Sequence, residues 1–244
     1  MSGHSKWKNI MHKKGKTDAQ RAKLFTKVGR EIATIVKQGG PDPAANPRLK
    51  DAIAKAKANN VPNDNIDRII KKASGGGDNV EYIDITYEGY GPGGVAVLVE
   101  TLTDNRNRTA ADVRHAFDKF GAGLGTTGSV GWQFEKRGVI VIPAEDVDED
   151  KLMEDVFDAN ADDYSLEEDV FEILTGPDTL GAVRDELEKR GYALESAEVE
   201  QLPSNYVDLE NEEDISRMQK LLEVLEDSDD VQNVWHNWGN APEE

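Results

Sequence analysis

The sequence predicts an α+β protein in which an N-terminal three-helix bundle precedes two ferredoxin-like α/β domains, one inserted in the other. Apolar residues recur at helical spacing in three short segments before residue 74. Strand-like runs begin at Tyr82, and from Gly138 the element order is β-α-β-β-α-β, the split pattern of a ferredoxin-like domain. A strand, a helix and a strand after residue 205 would complete the sheet that begins at residue 82.

The three N-terminal helices are marked by their ends as well as by their apolar faces. Thr17–Gln20 fits a capping box, and Gly39-Gly40-Pro41 ends the first helix. Asn46 is a suitable N-cap for the second helix, with Pro47 at its first position. Short links between short helices favour a small bundle, and Ser74–Gly77 indicates a flexible linker that would let this bundle reorient.

The remainder alternates between strands and helices. A helix is expected near Asn107–Phe120, followed by a long Gly-rich loop and a strand around Val130–Phe134. Another strand is expected at Tyr206–Leu209. The predicted domains are residues 1–74, residues 78–135 together with 205–240, and an inserted acidic domain at 136–204.

Charge is divided unevenly along the chain. The first 72 residues hold 17 Lys and Arg against 6 Asp and Glu, a net charge of +11, whereas the whole chain has a net charge of −19. The remaining residues therefore have a net charge of −30. A basic module attracts polyanions and an acidic body repels them, so we expect the N-terminal end to face nucleic acid.

Composition and motifs exclude several classes of protein. Cysteine is absent, so disulfides, thiolate zinc sites and thiol nucleophiles are excluded. Two segments match G-x-G-x-x-G, but neither has the context of a dinucleotide site. The one at Gly89 is followed by a strand and not a helix, and the one at Gly123 follows a helix and precedes a strand. No catalytic signature, metal-ligand spacing or cofactor motif is found. We therefore expect a non-enzymatic cytoplasmic protein without cofactor or metal, with no membrane partner.

A basic arm at the N-terminus is the main candidate for binding nucleic acid. Its lysines can neutralise phosphates, and an exposed indole among them can stack on an unpaired base. The alternative is that Trp7 packs onto the bundle and the lysines are merely solvated. The candidate residues of the arm are Lys6, Trp7, Lys8, His12, Lys13, Lys14 and Lys16, and those of the first helix are Arg21, Lys23, Lys27 and Arg30.

A Gly-rich loop supplies a second candidate. Gly125, Thr126, Thr127, Gly128 and Ser129 combine bare backbone with hydroxyl groups, which could approach nucleic acid closely. The alternative is a mobile connection. The acidic stretch 145–169 lacks the spacing of a calcium loop, so a solvated acidic helix face is expected. Such a surface would also suit a protein partner with basic patches.

Several segments together resemble one family over nearly the whole chain. GHSKWKNIMHKKGKTDAQRAKLFTKVGREI, YEGYGPGGVAVLVETLTDNRNRTAADVRHAFDKFG, GTTGSVGWQF and LEDSDDVQNVWHN are similar to the YebC/PmpR family. The resemblance implies three domains, the third inserted in the second, and a basic N-terminal motif at Gly3–Lys16 and Arg21–Arg30. It implies no catalytic residues.

The resemblance implies two kinds of function. Members are commonly described as DNA-binding transcriptional regulators, while mitochondrial relatives are translational activators for a cytochrome oxidase subunit. Bacterial relatives are also linked to ribosomes stalled on proline-rich sequences. The resemblance favours a DNA-binding transcriptional regulator, with a ribosome-associated translation factor that binds rRNA as the alternative. The residues themselves favour RNA, because the first helix has few base-reading side chains and the acidic body would repel extended DNA. The sequence leaves DNA, ribosomal RNA and the ribosome as alternative partners, and the oligomeric state open.

Overall fold

The computed structural model describes residues 18–76, 80–167 and 169–242, with side chains described from residue 22 onward. The described elements are helices α1 (Asp18–Gly39), α2 (Pro47–Ala58), α3 (Asn63–Ser74), α4 (Arg106–Phe120), α5 (Glu149–Asp158), α6 (Leu180–Lys189) and α7 (Glu212–Asp227). The strands are β1 (Ile83–Tyr90), β2 (Ala96–Thr103), β3 (Gly123–Leu124), β4 (Phe134–Pro143), β5 (Asp163–Glu167), β6 (Val170–Thr175), β7 (Ser196–Pro203) and β8 (Val231–His236). N-terminal helices followed by two four-stranded antiparallel sheets with helices confirm the predicted α+β class.

The described chain divides into two compact units. The first sheet lies in a unit formed by residues 18–52, 62–134 and 203–242. The second sheet lies in a unit formed by residues 53–61 and 135–202. The three-domain boundaries expected from the sequence stay a prediction.

Buried apolar side chains and the hydrogen bonds of one asparagine pack the N-terminal helices together. Val28, Ile32 and Val36 of α1 are buried, and α1 packs along α3. Asn46 caps α2 as predicted, because its Oδ1 accepts the Leu49 N–H at 3.2 Å. The Asn46 amide also donates to the Gly40 carbonyl at 3.0 Å, so one side chain joins the end of α1 to the start of α2.

The first sheet has the strand order β3-β1-β2-β8. Strands β1 and β2 form the predicted hairpin, in which the Gly91 N–H donates to the Val95 carbonyl at 2.7 Å and Gly93 adopts φ +63°. Val97 and Val99 face a core that includes Phe117 of α4 and Met218 and Leu221 of α7. The two helices thereby bury one face of this sheet.

The second sheet has the order β5-β6-β4-β7. Each βαβ segment of this unit is split: β6 lies between β4 and β5, and β4 lies between β6 and β7. The core contains Ile140 and Ile173 from the sheet, Leu152 and Val156 from α5, and Leu187 from α6.

Two strand predictions were wrong. Val130–Phe134 forms a short 3-10 helix at Gly131–Gln133 before β4 begins, because the N–H groups of Val130 and Gly131 donate to the Glu88 carboxylate. The segment expected to form a strand at Tyr206–Leu209 makes a single bridge between Val207 and Trp238. Among the described helices, none is long and apolar enough to cross a membrane.

Candidate nucleic-acid interface

The predicted binding residues fall into three groups in the structure. The arm residues Lys6, Trp7, Lys8, His12, Lys13, Lys14 and Lys16 lie outside the described residues, as does the side chain of Arg21. Lys23, Lys27 and Arg30 lie on α1, and Gly125–Ser129 lie in the loop after β3.

The basic side chains of α1 bond to the end of α7 and the turn after it. Lys23 forms an ion pair with Asp227, and the Lys27 ammonium donates to the Glu226 carbonyl at 2.7 Å. Arg30 donates to the Asp229 carbonyl at 2.8 Å. Cations are stabilised at a helix C-terminus by its partial negative charge, so these residues anchor α1. These bonds oppose the free reorientation of the bundle expected from Ser74–Gly77; the nucleic-acid contacts of the three residues stay a prediction.

Asp230 is the centre of this anchorage. Its Oδ1 accepts from Arg30 at 2.8 Å, and its Oδ2 accepts from Arg108 at 2.7 Å and from the Thr109 hydroxyl at 2.8 Å. Burial raises the pKa of the carboxyl, but the hydrogen bonds from Arg108, Thr109 and Arg30 outweigh burial and hold the pKa below its usual value. The ionised carboxylate thus joins α1 to the start of α4.

A charged cleft of about 440 Å³ opens beside this anchorage. Its lining carries more acidic than basic side chains, so it does not suit a phosphate. The charged residues of the lining are Lys23, Arg30, Asp104, Arg108, Asp112, Asp227, Asp229 and Asp230.

Glu88 holds the Gly-rich loop in place from β1. Its carboxylate accepts the N–H groups of Gly128 at 2.7 Å, Val130 at 2.8 Å and Gly131 at 2.7 Å. The Glu88 carbonyl accepts the Gly125 N–H at 2.7 Å. The loop is therefore tied at both ends to one residue, which disagrees with the alternative of a loosely held connection.

The charge state of Glu88 follows from these donors. Burial raises the pKa of its carboxyl, but the three backbone N–H groups of Gly128, Val130 and Gly131 together lower it below its usual value. The carboxylate is ionised at neutral pH, and the backbone N–H groups of the loop stabilise its negative charge.

The tip of this loop is exposed. Residues 125–128 are all exposed, and the hydroxyls of Thr126 and Thr127 make no hydrogen bond within the described structure. Gly128 adopts φ +85°, and a Cβ at Gly125 would lie 2.3 Å from the Ser129 Oγ. The glycines are thus required by the backbone geometry and by close packing, while the threonine hydroxyls face solvent.

Trp132 is a candidate residue that the sequence did not single out. Its side chain is 73% exposed, and its indole N–H donates to the Ser129 carbonyl at 3.2 Å. The same carbonyl accepts the Tyr90 hydroxyl at 3.1 Å, which ties the loop to β1. An exposed indole can stack on an unpaired base. In the sequence, Trp132 alternates with Gly131 and Gln133 between Val130 and Phe134, a pattern that favours a buried strand position, so no local signal marks its exposure.

The described residues contain no group of three or more His, Cys, Asp or Glu side chains that could hold a metal ion. The exposed hydroxyls of Thr126 and Thr127 offer hydrogen bonding, and the exposed indole of Trp132 offers stacking. We call residues 125–132 the Glu88 loop.

Comparison with known proteins places these features in a family. The model for the TACO1/YebC protein N-terminal domain matches residues 5–76, and the model for the TACO1/YebC second and third domain matches residues 82–238. A protein of Acetivibrio thermocellus named "Probable transcriptional regulatory protein" is 59% identical, with 98% of this chain and 99% of that protein covered.

Two further relatives agree with this match. A Caldicellulosiruptor saccharolyticus protein of the same name is 55% identical, with 98% of both chains covered. The crystal structure of a conserved hypothetical protein from Aquifex aeolicus superposes with a TM-score of 0.83 at 46% identity, with 96% of each chain covered. The resemblance found in the sequence is confirmed.

Proposed function

Because the chain belongs to the TACO1/YebC family, we propose that it is a non-catalytic, cytoplasmic regulatory protein that binds nucleic acid. We further propose that its target is RNA with unpaired bases, bound at the ribosome to assist synthesis of difficult, proline-rich sequences. The regulatory role is supported by the names of the curated relatives. The choice of RNA rests on the Glu88 loop.

The exposed indole of Trp132 is the observation that carries this choice. In a duplex, base faces are covered by the neighbouring bases, so an aromatic side chain reaches them only by unstacking the helix. An unpaired base in an RNA loop presents its face directly, and stacking on an aromatic side chain contributes about 1–3 kcal/mol. Trp132 shares its loop with the exposed Thr126 and Thr127, and this loop therefore suits an unpaired nucleotide.

The bonds of α1 also favour RNA. A helix that reads a DNA groove presents its basic face to the duplex, often twice through a dimer. In this chain Lys23 and Arg30 bond to acidic residues, and Asp227 and Asp229 lie exposed beside them. A duplex lying along α1 would meet these carboxylates, which repel phosphates.

The arm and the acidic body fit the same proposal. The five lysines of residues 6–16 provide the charge that any nucleic acid attracts, and the Glu88 loop provides selectivity. Ribosomes present RNA beside basic proteins, so an acidic body has suitable neighbours there.

The second candidate is a DNA-binding transcriptional regulator. It is favoured by the names of the relatives, which call them probable transcriptional regulatory proteins. Under this alternative, the arm would contact the phosphates of duplex DNA and the Glu88 loop would have a structural role.

Binding measured by fluorescence anisotropy at one fixed salt concentration separates the two candidates. The probes are an RNA hairpin with an unpaired loop and a DNA duplex of matched length. Trp132→Ala should weaken binding to the hairpin by about fivefold to a hundredfold, as expected from loss of one stacked base. The same variant should leave duplex binding unchanged.

Two variants serve as controls. Trp132→Phe keeps an aromatic face and should retain most of the hairpin affinity, while Val224→Ala removes an exposed apolar side chain elsewhere. Equal losses on RNA and duplex DNA for Trp132→Ala, or tighter binding of the wild type to the duplex, would contradict the choice of RNA.

A further inference from the structure

An exposed apolar patch lies at one edge of the unit that contains the second sheet. It comprises Met153 and Phe157 of α5 with Tyr164 and Leu166 of β5. Phe157 is 50% exposed and Leu166 is 48% exposed. The rings of Phe157 and Tyr164 meet edge to face with centroids 6.1 Å apart, so helix and strand contribute to one continuous surface.

The patch extends the core of this unit to the solvent. Tyr164 and Leu166 lie opposite Ile173 and Phe171 of β6, which belong to the core, and directly paired residues share a face of the sheet. Met153 and Phe157 are four residues apart and so lie on one side of α5. Tyr164 and Leu166 therefore lie on the face of the sheet that α5 covers, and Met153 and Phe157 lie on one side of α5. Together the four side chains form a patch where the helix no longer covers the sheet.

Strand β5 is also an open edge. Within the described sheets it pairs with β6 alone, so its other side presents backbone N–H and C=O groups to solvent. Its residues 163–167 contain neither lysine nor proline, the residues that commonly block an edge. An extended peptide could add as a further strand with its alternate side chains against the patch.

Acidic side chains surround the patch. Arg137 and Arg190 offset part of this charge, since they pair with Asp162 and with Asp155 and Asp158. Lys151 is an exposed basic residue of α5. The acidic residues around the patch are Glu149, Asp150, Glu154, Asp158, Asp162, Asp163, Glu167 and Asp169.

We propose that this patch and the β5 edge bind a basic, extended segment of another protein that carries apolar side chains at alternate positions. The apolar side chains would cover Phe157 and Leu166, and the backbone would pair with β5. The basic side chains would point to the other face of the sheet, towards Asp163 and Glu167. The same charges repel RNA and a second copy of this surface. This inference is independent of the nucleic acid that the protein binds.

The test uses the full-length protein and three synthetic heptapeptides. The first alternates Lys or Arg with Leu or Val, the second replaces its apolar residues with Ser, and the third replaces its basic residues with Glu. Calorimetry should show binding of the first peptide, with at least tenfold weaker binding of the other two. Amide exchange in residues 163–167 should slow when the first peptide binds.

Variants locate the site. Phe157→Ser and Leu166→Ser should each weaken binding of the first peptide at least tenfold. The exposed charge change Asp163→Lys should do the same, because Asp163 lies on the face of β5 that the basic side chains would meet. Val224→Ser, a matched change at an exposed apolar residue of α7, should leave it unchanged. Circular dichroism identifies any variant that does not fold. If Phe157→Ser or Leu166→Ser does not fold, the test depends on the surface variant Asp163→Lys.

Three results would overturn the proposal. One is equal affinity for the first and second peptides, which would show charge attraction without apolar docking. Another is unchanged affinity in all three patch variants. The last is self-association of the free protein in sedimentation that Leu166→Ser abolishes, which would assign the patch to a second copy.

Discussion

At the scale of single residues, Glu88 decides the shape of the candidate interface. One carboxylate takes three N–H groups from a loop about forty positions away in sequence. Because buried N–H groups without an acceptor are costly, the loop has its lowest free energy when it is wrapped around this residue. The hydrogen bond of the Trp132 indole depends on this anchorage, since Ser129, whose carbonyl accepts the indole N–H, lies between two of the bonded residues.

Glu88→Gln should destabilise the protein by about 2–3 kcal/mol, because the amide replaces one charged acceptor with a donor facing N–H groups. Urea unfolding at neutral pH measures this change. Asp84→Asn on the same strand is the matched control, since Asp84 is exposed, and it should change the free energy of unfolding by less than about 0.5 kcal/mol.

The effect of Glu88→Gln should depend on pH in a defined direction. The pKa of the Glu88 carboxyl is lowered in the folded protein, so its ionisation stabilises the fold above the unfolded-state pKa. That stability is lost as pH falls through the folded-state pKa. The difference between wild type and variant should therefore narrow on acidification below about pH 4.5. A difference that widened would refute the anchoring role of the ionised carboxylate.

At the scale of elements, sequence pattern predicted what depends on local periodicity. The helix expected near Asn107–Phe120 begins at Arg106 and buries Val113 and Phe117, because apolar residues at helical spacing determine which face is covered. The Gly-rich turn after Tyr90 was recognisable from the strand-like runs on both sides. These features are determined by residues that are close together in the sequence.

Features that depend on distant partners were not predictable. Val130–Phe134 has the composition of a strand, but its N–H groups are taken by Glu88. Lys23 and Arg30 resemble a phosphate-binding face until the fold brings residues 227–230 beside them. Trp132 has the side chain of a core residue and is exposed only because the turn before β4 directs it outward.

Asp230→Ala should detach α1 from the start of α4 and β8. Asp230 is almost fully buried, and Arg30 and Arg108 bond to it. Its removal should therefore lower the free energy of unfolding by about 3 kcal/mol. This is the lower end of the range for a buried ion pair, because Arg108 is half-exposed. Asp229→Ala is the matched control: it removes the same charge from an exposed side chain and keeps the carbonyl that Arg30 uses. Thermal unfolding measures the stability of both variants. An equal loss of stability in Asp229→Ala and Asp230→Ala would contradict the central role of Asp230.

At the scale of the whole molecule, basic residues are concentrated at the N-terminal end and acidic residues in the rest of the chain. The first 72 residues are basic within a chain of net charge −19, and part of that basic charge holds α1 in place. We therefore expect the arm to supply the electrostatic affinity and the Glu88 loop to supply selectivity.

Salt dependence of RNA binding separates the two sets of lysines. Each phosphate contact on a single strand contributes about −0.7 to the slope of log affinity against log salt. Replacing Lys13, Lys14 and Lys16 with Ala should reduce the magnitude of the slope by about 2. Replacing Lys23 and Lys27 with Ala should leave the slope unchanged and lower stability by about 1 kcal/mol. A slope that is unchanged in the triple variant and reduced when Lys23 and Lys27 are replaced would place the phosphate contacts on α1.

The most direct test of the central claim, that the protein acts on RNA, is crosslinking in living cells followed by identification of the recovered nucleic acid. Wild-type protein should recover ribosomal RNA at a small number of positions that contain unpaired bases, and Trp132→Ala should lose those positions while its cellular amount is unchanged. Recovery of discrete DNA sites without enrichment of ribosomal RNA would contradict the account and assign the protein to transcription.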